Sequence, residues 1–346
     1  MNSKNNDDLI SIIVINYNGL DYILDCMESI FQINDCNYEV ILIDNNSSDN
    51  SSDICKEKFP QIRLFHNEKN LAMAARNVGI DNAKGKYILF LDADTILLPN
   101  SISTLFQSYL QHGKGLYQGK LLARDDHSRI ETCGNFTNIF GFGYGRGRGR
   151  SDEKQYEKFE EISFPVGACT FSTTEIIKKI GYIDQSSLFF LMLDDLDYGW
   201  RAWLQSIPCY YEPNCILYHV GSPTLKWSAK KFFYAEQNRW ICLLSNYSAK
   251  SILKILPLLL IVDLGTFWFL SQKGLAMSKI KSSISILSKL GMILQNRSEV
   301  QKTRMVSDST IISHFVDNIE LPSMMSEDSS NNLLNMLSKF ARKLIS

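Results

Sequence analysis

The sequence predicts an α/β fold, an open and largely parallel sheet, followed by a helical C-terminal extension. Three observations carry that expectation. Four early segments repeat one theme, an apolar β-branched run that ends in a polar cluster; helical stretches separate them; and beyond His219 the pattern changes to aromatic-rich and apolar helices.

The four runs are Ser11-Ile-Ile-Val-Ile-Asn-Tyr-Asn, Glu39-Val-Ile-Leu-Ile-Asp-Asn-Asn, Ile62-Arg-Leu-Phe-His-Asn and Lys86-Tyr-Ile-Leu-Phe-Leu-Asp-Ala-Asp. Continuous apolar runs of this length suit strands buried on both faces, as in a parallel sheet. Tyr22 to Phe31, Ser51 to Phe59 and Leu71 to Ala83 read as the crossover helices between them. Ligands of such sheets bind at the carboxyl ends of the strands, where the polar clusters fall. From Gly113 to Arg150 the pattern loosens, and Gly141-Phe-Gly-Tyr-Gly-Arg-Gly-Arg-Gly-Arg reads as a mobile loop because glycine at this density holds neither helix nor central strand. Thr174 to Ile180 reads as a helix stopped by Gly181.

Lys226 to Asn246 reads as a basic, aromatic amphipathic helix. Ile252 to Leu270 is strongly apolar but interrupted by Lys254, Pro257 and Asp263. A spanning helix needs about twenty mostly apolar residues, and an Asp near its centre costs roughly 2.5–3.5 kcal/mol on insertion scales. The segment is therefore expected to lie in a membrane interface; the competing reading is a buried helical hairpin. Asn331 to Ile345 reads as a final amphipathic helix. The expected organisation is a flexible terminus at 1–8, a catalytic domain at 9–225, aromatic and apolar helices at 226–275, and a helical tail at 276–346.

Composition excludes several classes. With 346 residues, 45% hydrophobic and 21% charged, the chain is globular rather than disordered. A formal net charge of −1 argues against a nucleic-acid binder. The eight cysteines form no C-x-x-C pair, so neither a zinc nor a redox motif is indicated. Met1 to Asp8 carries no apolar leader, and a cytoplasmic location is expected.

Asp92-Ala-Asp94 is the strongest single feature. Two carboxylates at i and i+2 ending a buried strand are hard ligands for Mg2+ or Mn2+, and a metal there would neutralise a departing diphosphate. The bland alternative is a turn that uses Asp for backbone hydrogen bonds. Asn16, Tyr17 and Asp44 end neighbouring strands; Asp44 could meet a base or ribose, or cap a helix. Arg76 could clamp phosphate or pair with a carboxylate. In Asp194-Asp195-Leu196-Asp197, adjacent carboxylates beside apolar residues suit a general base, or else complement a helix dipole. His219, at the end of another apolar run, would add an imidazole to the two-Asp site.

Taken in order, these pieces resemble family 2 of the glycosyltransferases, with the GT-A nucleotide-binding fold, over roughly Ile10 to Trp240; the rhamnosyltransferase-like branch is nearest. The resemblance implies that the loop after the first strand holds the base, with Tyr17 packed on it, and that Asp44 recognises it. Asp94 would be the principal metal ligand, with Asp92 nearer the ribose and metal waters. Val166-Gly-Ala-Cys-Thr-Phe is similar to the acceptor-side segment, and Leu193-Asp-Asp-Leu-Asp to the family's Glu-Asp pair, with Asp195 as base. The implied reaction is an inverting single displacement from a UDP-, dTDP- or GDP-linked sugar to a glycan or lipid-linked acceptor. Three departures stand out. Asp194 replaces the usual Glu, Gln237-Asn238 stands where relatives read Arg-Asn, and Arg146, Arg148 and Arg150 hint at an anionic acceptor. Two rival readings are a non-catalytic sugar-nucleotide or glycan binder and a D-x-D phosphatase; for the latter, Thr95 falls one place too early.

Overall fold

A computed structural model describes residues 8–184, 186–221, 228–319 and 328–346; Lys226, Trp227 and the expected boundary at 225/226 lie outside the described residues. Strands β1 (Ile10–Asn16), β2 (Tyr38–Asp44), β3 (Arg63–His66) and β4 (Tyr87–Asp92) alternate with helices α1 (Ile23–Phe31), α2 (Ser51–Lys58) and α3 (Arg76–Asn82), the last entered through a 3-10 turn at Ala72–Ala75. There follow β5 (Thr95–Leu97), α4 (Ser101–His112), β6 (Leu116–Ala123), β7 (Ile130–Thr132), β8 (Asn135–Thr137), β9 (Gly143–Gly145) and β10 (Glu160–Glu161). Next come β11 (Cys169–Thr173), α5 (Thr174–Ile180), α6 (Asp194–Leu204) and β12 (Cys209–His219). The C-terminal helices are α7 (Ala229–Asn246), α8 (Ala249–Gln272), α9 (Ala276–Ser288), α10 (Leu290–Lys302), α11 (Asp308–Ile312) and α12 (Asp328–Ile345).

The chain forms two compact units. The first comprises Met1–Gly134, Gly147–Gln185 and Ile207–Gly221; the second comprises Asn135–Arg146, Ser186–Ser206 and Ser222–Ser346. In the first, the sheet runs β10-β12-β6-β11-β4-β1-β2-β3. The half from β4 to β3 is parallel, as the unbroken apolar runs require. The other half is mixed, because β11 pairs antiparallel with both β4 and β6. No crossover helix leads into β11, and antiparallel pairing needs none. Ile12, Val14, Leu42, Leu89 and Leu91 are buried in one core, each contributing about 1.5–3 kcal/mol by leaving water.

Two glycines bring neighbours close enough to set the sheet. Gly79 of α3 lets Ile13 approach, since a Cβ there would lie 2.4 Å from Ile13 Cγ2. Gly119 of β6 lies against β12, where a Cβ would come 2.7 Å from the Cys215 carbonyl oxygen and 2.6 Å from its Sγ.

The second unit holds α6 to α12 and the hairpin β8–β9. The Gly/Arg segment, expected as a mobile loop, is ordered: Gly143–Gly145 pairs with Asn135–Thr137. Farther along, Gly147 and Gly149 take φ of +75° and +79° in the turn whose end hydrogen-bonds Ile130. The glycines that break regular patterns supply left-handed turn positions instead. Helix α8 is long and apolar enough to cross a membrane, yet it is one-sided. Ile255, Leu259 and Val262 are buried, while Leu253, Leu260, Ile261, Leu264 and Trp268 are exposed. Asp263 faces inward, accepting from Arg239 Nη2 at 3.0 Å, Trp240 Nε1 at 2.7 Å and Lys279 Nζ. Glu236 completes the cluster, 2.9 Å from Arg239 and 2.7 Å from Lys279.

Replacing Gly119 with alanine is expected to cost about 1–3 kcal/mol through overpacking against the β12 backbone. A urea midpoint equal to that of the parent protein would show that the two strands separate more easily than this contact implies.

Candidate metal centre

The sheet register builds a row of polar side chains at the carboxyl ends of the central strands. Asn16 of β1 lies opposite Asp44 of β2, and Asp92 of β4 lies opposite Ile15. Just past β4 the chain turns at Asp-Ala-Asp: Ala93 N–H donates to Ile15 O at 3.2 Å, and Thr95 Oγ1 donates to Asp92 O at 2.7 Å. Thr95 is buried, so the hydroxyl that a phosphatase would use serves this turn.

The short strand β5 then pairs antiparallel with β12 and sets Thr95 opposite His219. That pairing carries an imidazole from far along the chain to the two carboxylates. His219 Nε2 lies 3.1 Å from Asp94 Oδ1 and 4.0 Å from Asp92 Oδ2. The three ligand atoms all fall within 4.8 Å of one another. The other ring nitrogen, Nδ1, is 2.5 Å from Glu131 Oε2, and Glu131 is paired in turn with Arg148 Nη2 at 3.0 Å.

These residues fit a divalent cation. Two carboxylates and an imidazole are a donor set that could hold a divalent metal ion, and a carboxylate on the far nitrogen is the usual orienting partner of a metal-bound histidine. The neighbouring thiol offers no competing soft ligand, because burial pushes Cys26 up to about 12. Burial works against a charged His219, but Glu131 and Asp94 outweigh it and hold the imidazolium well above its ordinary range. Cation binding at Nε2 would displace that proton. Burial likewise disfavours the Glu131 carboxylate, and His219 and Arg148 overcome it, holding the group below the usual range.

The remaining site residues fall in two groups. In the first unit, Arg76 is wholly buried and pairs with Asp92 Oδ1 at 2.5 Å while donating to Gly167 O at 2.8 Å. Of its two expected roles, carboxylate pairing is the one observed. Asn16 Nδ2 donates to Ser51 Oγ and Ser52 Oγ, each at 2.7 Å. Asp44 accepts from Ser52 Oγ at 2.8 Å and Ser47 N at 3.3 Å. Burial would raise the Asp44 pKa, but these bonds hold it below the ordinary carboxylate value. Both residues thus fix the loop into α2, which is the turn part of the expected turn and cap; Asn50 at the N-cap makes no side-chain cap hydrogen bond. Tyr17 is 43% exposed beside them, open to an aromatic partner.

In the second unit, the acids open α6. Asp197 is buried, accepting from Arg201 Nε and Asn246 Nδ2 at 2.8 Å each; it ties α6 to α7. Asp195 is half-buried, with Oδ1 accepting from Leu196 N at 2.8 Å, and Asp194 is buried at the first helical position. Sequence reasoning missed Glu131 and read Arg148 as acceptor-facing. Both lie where the apolar pattern loosens, and only the pairing of β6 with β7 and β12 brings Glu131 to His219.

The fold is of GT-A type, and its strand ends carry an Asp-Asp-His group that could hold a metal ion. The chain is similar to the crystal structure of GalNAc-T7 with UDP, GalNAc and Mn2+ at a TM-score of 0.54 and 14% identity, over 68% of this chain and 48% of that one. Residues 11–181 match the family "Glycosyl transferase family 2", and the chain carries a domain of that family. Among curated relatives, glycosyltransferase GlyG of Streptococcus pneumoniae serotype 4 is 38% identical over 133 residues, covering 37% of this chain and 42% of GlyG. The uncharacterized glycosyltransferase YibD of Escherichia coli K12 is 40% identical over 114 residues, 32% of each chain. The matched region thus spans less than half the length of either relative.

Glu131→Gln is expected to weaken Mn2+ binding about 10- to 100-fold by releasing the imidazole from its orienting partner. Calorimetric titration of the metal alone, against the parent protein and Asp94→Asn, measures this. Equal affinity in all three proteins would remove the centre from consideration.

Proposed function

We propose that the chain transfers a sugar, with inversion, from a nucleotide-diphosphate sugar (UDP-, dTDP- or GDP-linked) to a hydroxyl of a glycan or lipid-linked acceptor. The observation that carries this reading is the Asp92–Asp94–His219 cluster at the strand ends of a family 2 domain. Adjacent strands lie about 4.8 Å apart, so Asp44 stands two strands, roughly 10 Å, from Asp92. That row can seat a base near Asp44 and Tyr17 and a diphosphate near Asp92 and Asp94. Asp94 and His219 would hold Mn2+ or Mg2+ with Asp92, whose other oxygen is fixed by Arg76. A bound cation supplies charge stabilisation for the departing diphosphate.

Asp195 is proposed as the base that takes the acceptor's proton, on the resemblance of Leu193-Asp-Asp-Leu-Asp to the family's acidic pair, which lies beyond the matched residues 11–181. Asp194 is assigned to the acceptor side. Asp197, spent on Arg201 and Asn246, orients the helix that carries them.

A membrane surface is proposed as a second partner, at its cytoplasmic face, through α8 and α9. Crossing the bilayer would pull Asp263 from Arg239 and Lys279, and breaking a buried ion pair costs roughly 3–5 kcal/mol. Inserting the freed carboxylate adds about 2.5–3.5 kcal/mol. Lying on one leaflet keeps the cluster and still covers Leu260, Leu264, Trp268, Ile280 and Ile284, which are exposed. From Ala249 to Ser288 the acid Asp263 is paired with the buried Lys279, which leaves four lysines and no further acid, a charge balance suited to anionic headgroups. Sedimentation with anionic vesicles should carry the protein down, and Leu264→Asp with Trp268→Asp should leave it in solution. No sedimentation of the parent protein would dispose of this partner.

For the activity, a panel of nucleotide sugars with and without Mn2+ or Mg2+ is expected to show metal-dependent nucleoside-diphosphate release from one donor, lost in Asp94→Asn. Asp195→Asn should keep donor-induced thermal stabilisation while transfer falls about 10²- to 10⁴-fold. Undiminished transfer by that variant would remove Asp195 from the role. Donor binding without turnover, with acceptor lipid present, would favour a sugar-nucleotide-binding protein instead.

A further inference from the structure

We propose that Asn238 of α7 is a positioning residue for the acidic start of α6, and that the rate of transfer depends on its amide. The inference rests on the reading of Asp195 as the base.

Helix α6 begins in an unusual way. Met192 and Leu193, which lead into it, have φ of +69° and +61°, and neither is glycine. Bulky side chains rarely hold this region without support from their surroundings. Leu193 stands at the helix N-cap and supplies no side-chain cap. The support comes from α7. Asn238 Nδ2 donates to Leu191 O at 2.6 Å and to Met192 O at 2.7 Å, and Cys242 Sγ donates to Leu193 O at 3.7 Å. Three successive carbonyls before Asp194 are therefore held by side chains of one helix.

The orientation of that amide is itself fixed. Asn238 is fully buried. Its Oδ1 accepts from Gln237 Nε2 at 3.0 Å, and Gln237 Oε1 accepts from Ser285 Oγ of α9 at 2.6 Å. With two carbonyls facing Nδ2, only the amide, and not a carboxylate of the same shape, satisfies the pocket. Without those two donors, Leu191 and Met192 lose their hold, and the left-handed pair keeps only the Cys242 contact to Leu193 O. The first turn of α6 then relaxes and shifts the Asp195 carboxylate. A displacement of about 1 Å at a reacting group can cost 100-fold in rate.

The test is steady-state kinetics of Asn238→Ala beside Asp195→Asn and the double variant Asn238→Ala/Met192→Gly. Asn238→Ala is expected to lower kcat about 10- to 100-fold, with KM for the nucleotide sugar and Mn2+ affinity unchanged. Glycine at position 192 adopts positive φ without strain, so the double variant should recover several-fold of the lost turnover, which a general loss of packing would not allow. Should Asn238→Ala not accumulate as folded protein, Asn238→Ser, which keeps one hydroxyl donor, carries the same comparison. Parent-like kcat in Asn238→Ala while Asp195→Asn is inactive overturns this inference alone, as does a loss with no recovery in the double variant. Full activity of Asp195→Asn overturns both this inference and the assignment of the base.

Discussion

The imidazole of His219, held at Nδ1 by Glu131 and aimed at Asp94 through Nε2, is the contact on which the centre depends. Its position follows from backbone pairing rather than from loop flexibility. Strand β5 leaves the Asp-Ala-Asp turn and pairs with the last residues of β12, so the histidine is delivered by a sheet ladder. Arg76 performs the matching task on the other side, fixing one oxygen of Asp92 from a fully buried guanidinium. Between a ladder-held imidazole and a buried guanidinium, the two carboxylates have little freedom. A preorganised donor set of this kind loses little conformational entropy when a ligand arrives.

Legibility of the fold in the sequence follows the physics of each half of the sheet. Strands buried on both faces write continuous apolar runs, and β1, β2 and β4 fall within a residue or two of where those runs place them. The mixed half leaves a weaker trace. β7, β8 and β9 span three residues each, too short for any periodicity, and their partners are set by long-range pairing. Glycine misled most in the 141–150 segment. It excludes helix, but it also supplies the positive-φ turns of an ordered hairpin region, and composition alone cannot separate the two.

Site residues divide along the same line. Asp92 and Asp94 stood out as an i, i+2 carboxylate pair at the end of a buried strand, although a plain turn uses the same residues, and it is the approach of His219 that groups them. Asp44 and Asn16 were legible as a polar cluster, and the structure adds that their hydrogen bonds are largely spent on Ser47, Ser51 and Ser52. Asp197 shows how capping and chemistry share one acidic run: it is consumed by Arg201 and Asn246, while Asp195 stays half-buried. Glu131 had no local signal at all, since its value lies wholly in a partner 88 residues away.

Two ionic clusters in the chain differ in a way that bears on what each is for. Around Asp263 the charges close: Glu236 and Asp263 meet Arg239 and Lys279, two against two, and hydrogen bonds join all four. Such a cluster needs nothing further and suits a purely structural latch. Around His219 the count turns on one proton, that of the imidazolium. Asp92, Asp94 and Glu131 face Arg76 and Arg148, and a histidine that ligates a metal must do so as the neutral imidazole. With the imidazolium present the charges balance, three against three, so a divalent cation that displaced its proton would leave one net positive charge. The two negative charges of a nucleotide-sugar diphosphate would more than offset it, and in a partly desolvated site an unmet charge is costly. On the proposed function, a cation and a nucleotide diphosphate would bind with mutual reinforcement, the cation supplying positive charge that the diphosphate meets.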